Sequence, residues 1–89
     1  MVSKDRLLSL VTMEVIAKDA TYSALRGYPP PSEGDRERLT LGKTLLDTTG
    51  VFELYLPGVR PADAKVISRA TVDRVTGRVA VEVFLPFAE

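Results

Sequence analysis

The stretch RATVDRVTGRVAVEVFLP, Arg69 to Pro86, constrains this chain more than any other. Its two halves alternate apolar and polar residues with the period of two that sends successive side chains to opposite faces of a strand. Between them, Arg74-Val75-Thr76-Gly77 reads as a four-residue loop in which Gly77 supplies a positive φ. The register follows. Asp73 lies opposite Arg78, Val72 opposite Val79, Ala70 opposite Val81, Arg69 opposite Glu82 and Ser68 opposite Val83. A three-residue loop would set Val72 against Ala80 and mix the faces. With the longer loop, one face carries Val66, Ser68, Ala70, Val72, Val79, Val81, Val83 and Leu85. The other carries Lys65, Arg69, Asp73, Arg78 and Glu82 in opposite-sign pairs. Ser68 and Ala70 are small, so the apolar face has a trough that a helix can fill.

Further strand signals precede this hairpin. Leu39 to Leu46, Val51 to Leu56, Lys65 to Asp73 and Arg78 to Leu85 are separated by Asp47-Thr-Thr-Gly50, Pro57-Gly-Val-Arg-Pro-Ala-Asp63 and Arg74-Val-Thr-Gly77, all turn chemistry. Gly42 and Lys43 interrupt the first run, where a short helix is the alternative. Residues 39–86 are therefore read as an antiparallel sheet.

Residues 3–26 read as a helix, with Ser3 as N-cap, Asp5 in the first turn and Gly27 as the stop before Tyr28-Pro29-Pro30-Pro31. Projected at about 100° per residue, its apolar positions form two stripes. Leu7, Leu8, Val11, Val15, Tyr22 and Leu25 make the first, assigned to the sheet. Leu10, Met13, Ile16, Ala17, Ala20 and Ala24 make the second, which has no partner within a single-layer sheet. Leu10, Met13, Ala17, Ala20 and Ala24 are thus the expected protein interface. Residues 29–38 read as a Pro-rich polar linker that begins as polyproline II. The fold class is α+β: one domain, residues 1–89, with an N-terminal helix on a three- or four-stranded antiparallel meander in two layers.

Composition narrows the function. Twelve basic residues balance twelve acidic ones, so no net field draws the chain to nucleic acid or an anionic membrane. The absence of Cys and His removes disulfides, the usual transition-metal ligands and the common nucleophile and base pairs. No cofactor and no enzymatic role are expected. The apolar run Leu7 to Met13 falls short of the roughly 20 residues of a membrane span and lacks a cleavage signal. A cytoplasmic protein or part of a soluble assembly is expected. Gly42-Lys43-Thr44 matches the end of a phosphate loop, but Glu37 stands where that loop needs glycine.

Lys65, Arg69, Arg74 and Arg78 could line the outer sheet face as a weak nucleic-acid surface with Phe84 as a stacking residue, although Asp73 and Glu82 stand among them. FELYLPGVRPADAKV, Phe52 to Val66, resembles the strand, Leu-Pro-Gly turn and acidic one-turn segment of small heat-shock (α-crystallin) domains. The likeness is confined to that segment, and Gly77-Arg78-Val79 replaces the family's later Gly-Val-Leu signature. It implies a chaperone-like oligomer as an alternative. The leading expectation is a small structural or adaptor subunit, homo-oligomeric or bound to a protein partner, with no small-molecule substrate.

Overall fold

The structure, a computed structural model, describes residues 7–85. Helix α1 (Leu10–Leu25) and the short helix α2 (Glu33–Arg38) precede four strands: β1 (Thr40–Leu45), β2 (Thr49–Leu56), β3 (Lys65–Asp73) and β4 (Val79–Val83). The strands form one antiparallel sheet in the order β1-β2-β3-β4. Helix α1 lies over β3 and β4 and reaches β2. This is the expected two-layer α+β architecture, with four strands.

The β3-β4 hairpin has the register its alternation dictates. Val72 pairs with Val79, Ala70 with Val81, Arg69 with Glu82 and Ser68 with Val83. Gly77 has φ +79°, and its N–H donates to the Asp73 carbonyl at 2.9 Å. The Asp73 carboxylate accepts the N–H groups of Val75 and Thr76 at 2.7 and 2.9 Å, which is an Asx-type closure of the loop. A shift between Leu54 and Tyr55 pairs them with Ser68 and Val66, so Ile67 is the extra residue of a bulge.

Other boundaries differ from the sequence reading. Helix α1 begins at Leu10, later than residue 3, because the Leu8 N–H is engaged by the Arg74 carbonyl at 2.8 Å. Ser9 then caps the helix by accepting from the Thr12 N–H at 3.2 Å. Ser3 and Asp5 lie outside the described residues. The linker is not polar coil throughout, since Ser32 accepts from the Asp35 N–H at 3.2 Å and starts α2. Glu33 and Asp35 in its first turn and Arg36 and Arg38 in its last complement the helix dipole. Strand β1 tolerates Gly42 because the Tyr55 ring occupies the space, 3.4 Å from where a Cβ would stand.

The largest correction concerns the two stripes of α1. Met13 and Ala17 are 0% and 1% exposed and join Phe52, Ala70 and Val72 in the core, with Leu10 and Ile16 packed around them. Val11, Val15 and Tyr22 point to solvent at 74%, 64% and 72% exposure. The stripe expected to await a partner is therefore the one on the sheet. Shape explains the choice. Ala70 and Ser68 open the trough, and Gly50 deepens it, because a Cβ there would stand 3.0 Å from the Met13 sulfur. Alanine and an unbranched methionine enter such a recess, whereas β-branched valines and a tyrosine ring would hold the helix off.

Two substitutions check this. Met13→Ala should cost about 2–5 kcal/mol in urea unfolding, and Val15→Ala about 0.5 kcal/mol or less; the reverse order would contradict the packing. Ser68 is fully buried, and its Oγ has no hydrogen-bond partner among the described residues. Removing an unpartnered hydroxyl relieves a desolvation penalty, so Ser68→Ala should leave the urea midpoint unchanged or raised.

Candidate functional site

The back of α1 carries an exposed apolar line. Val11, Val15 and Tyr22 recur at helical spacing on the side opposite Met13 and Ala17. Lys18 interrupts them and pairs with Glu14 at 3.0 Å. Glu14 also pairs with Lys43 of β1, so the carboxylate ties the helix flank to the edge strand. The fragment Gly42-Lys43-Thr44 thus lies within a strand, and its lysine serves this ion pair.

Lys43, then Lys18, hold the Glu14 carboxyl below its ordinary value of 4.5. The Asp73 carboxyl is likewise lowered from 3.8, chiefly by the N–H groups of Thr76 and Val75. Both carboxylates are committed to local structure. Among the described residues, no three Asp, Glu, His or Cys stand together as a metal site.

A second apolar feature adjoins the helix back at its C-terminal end. Here the chain leaves α1 through Tyr28 and Pro29 to Pro31, arching over the sheet to leave a groove of about 620 Å³. Tyr22 and Leu25 form its helix wall, and Leu54, Leu56, Ile67 and Leu85 its floor. The bulge that displaces Ile67 sets part of that floor. Sequence reading missed the groove because it arises from the path of the prolines relative to a bulge.

The expected interface residues are distributed otherwise. Met13 and Ala17 are buried, while Leu10, Ala20 and Ala24 are half-buried on the sheet side. The four candidate cations do not form one field either. Arg69 donates to Glu53 at 2.9 Å rather than to Glu82, and its guanidinium lies 5.4 Å from the Phe84 ring centre. Arg74 donates to the carbonyls of Leu46, Leu8 and Asp47 at 3.1 to 3.4 Å, fastening the β1-β2 turn to the entry of α1. Lys65 opens β3 opposite Leu56, and Arg78 stands at the far end by the hairpin loop.

No described helix is long and apolar enough to cross a membrane. Comparison with protein-family models, curated proteins and solved structures finds no match to this chain.

The ion pair predicts a pH dependence. A carboxyl with a lowered folded-state pKa stabilises above its unfolded pKa and loses that contribution as pH falls through the lowered value. The stability of the native chain should therefore fall more steeply below about pH 4.5 than that of Glu14→Gln, with the gap between the two closing in acid. Parallel pH profiles in chemical denaturation would contradict the Glu14 assignment.

Proposed function

We propose that this chain is a small structural or adaptor subunit, without enzymatic activity, that joins a protein assembly through the back of α1. The observation that carries the reading is the solvent exposure of Val11, Val15 and Tyr22 in one line along a single helix. Scattered surface apolar residues are ordinary, but aligned ones form a strip that a partner can cover. The contact is thus reassigned from the alanine stripe to its opposite. The engagement of Glu14 and Asp73 in structural contacts agrees with a non-catalytic role. The dispersal of Lys65, Arg69, Arg74 and Arg78 favours a protein partner over nucleic acid.

Gel filtration of the chain in extract of its native source tests this. The native chain should elute well above its 9.7 kDa, and Val15→Arg should shift it downward while its unfolding midpoint stays within about 0.5 kcal/mol of the native value. A native chain that elutes as monomer in extract, or a complex indifferent to Val15→Arg, would defeat the proposal.

A further inference from the structure

We infer that the partner seated on the back of α1 is a second copy of this chain, packed as an antiparallel pair of α1 helices about a two-fold axis. The inference rests on the contact surface proposed above and adds its occupant. Val11, Val15, Lys18, Tyr22 and Leu25 follow one another in alternating steps of four and three residues. That is the d-a-d-a-d spacing of a heptad seam. Val11, Val15 and Tyr22 are exposed along it, and the Lys18 side chain is 52% exposed between them. Leu25 ends the seam at the wall of the groove.

Lys18 decides the orientation. In a parallel pair each seam residue meets its own copy, which would set Lys18 against the partner's Lys18. In an antiparallel pair each a position meets a d position. One register then satisfies the four inner positions of the seam: Val11 packs on the partner's Tyr22, and Val15 on the stem of the partner's Lys18, while Leu25 lies beyond the end of the partner's α1. Glu14 immediately precedes Val15, so it flanks the layer that receives the partner's Lys18. Glu14 already pairs with its own chain's Lys18 and Lys43, so the seam centre carries a mixed-charge cluster in each copy. The antiparallel pair thus removes the like-charge contact that a parallel pair would place at the centre of the seam. The lysine stem covers apolar surface while its ammonium reaches the rim.

Of the two sheet edges, β1 and β4, the β1 edge is the less suitable place for a second copy. Lys43 in edge strand β1 points to the helix side and pairs with Glu14. An inward charge on an edge strand opposes strand-to-strand pairing. A single helix from each copy is a small contact, near or below the roughly 1,200 Å² at the low end of specific interfaces. Association is therefore concentration-dependent, and a polar residue in the seam weakens it further.

The absence of cysteine makes the chain a clean background for cross-linking. Purified native chain is weighed by sedimentation equilibrium over about a hundredfold concentration range, alongside Lys18→Leu and Val15→Asp. The mass should rise toward twice 9.7 kDa. Lys18→Leu should tighten the dimer several-fold, and Val15→Asp should weaken it about tenfold or more. Val11→Cys and Tyr22→Cys chains, mixed in equal amounts and oxidised, should give the mixed disulfide well above its statistical half share. Preferential Val11→Cys homodisulfide would overturn the antiparallel arrangement. A monomer mass throughout would overturn the second copy as occupant, whereas failure of the contact surface itself shows separately as indifference to Val15→Arg in extract.

Discussion

The structure depends on how closely α1 approaches its sheet. Ala17 and Met13 sit over a recess made by Gly50, Ser68 and Ala70, with Phe52 and Val72 completing the enclosed core. Small residues on both sides allow this approach, and the approach removes the core side chains from water. A chain of 89 residues has little core to spare. The tight contact in turn fixes which side of the helix remains outside.

Polar contacts hold the helix in place without competing for the core. Glu14 bridges Lys18 and Lys43 at one flank, and Arg74 gathers three carbonyls at the entry to α1. Arg74 lies in the β3-β4 loop, so the best-specified turn of the sheet also anchors the start of the helix. These interactions are partly exposed and individually modest, and they act mainly on orientation. The outcome is an apolar line on the free side of α1 that continues into the groove beneath Pro29 to Pro31.

The register of the β3-β4 hairpin was legible in the sequence, because a period of two and one obligatory glycine leave a single workable pairing; the bulge at Ile67 and the Arg69 pair with Glu53 were not, since both depend on β2. The presence of two apolar stripes on α1 was equally legible. Which stripe faced inward was not, since both are apolar and the decision rests on the sheet's relief at Gly50, a residue far from α1 in sequence. The trough at Ser68 and Ala70 was anticipated, but it admits the alanine stripe and not the valines. Helix α2 was not legible because it is a single polar stretch with no apolar periodicity after three prolines, and its signal is confined to Ser32 and Asp35 at cap spacing. The Glu14 to Lys43 pair and the groove depend on long-range placement that local pattern does not carry.

The central claim is that the Met13 and Ala17 side of α1 seals the core while the Val11 and Val15 side does not. Nuclear Overhauser contacts from the Met13 methyl test it most directly. The account predicts cross-peaks from that methyl to the Phe52 ring and the Gly50 Hα protons, and none from the Val11 or Val15 methyls to β3. Cross-peaks from the Val11 or Val15 methyls to Ala70 or Val72, with Met13 silent toward the sheet, would contradict it.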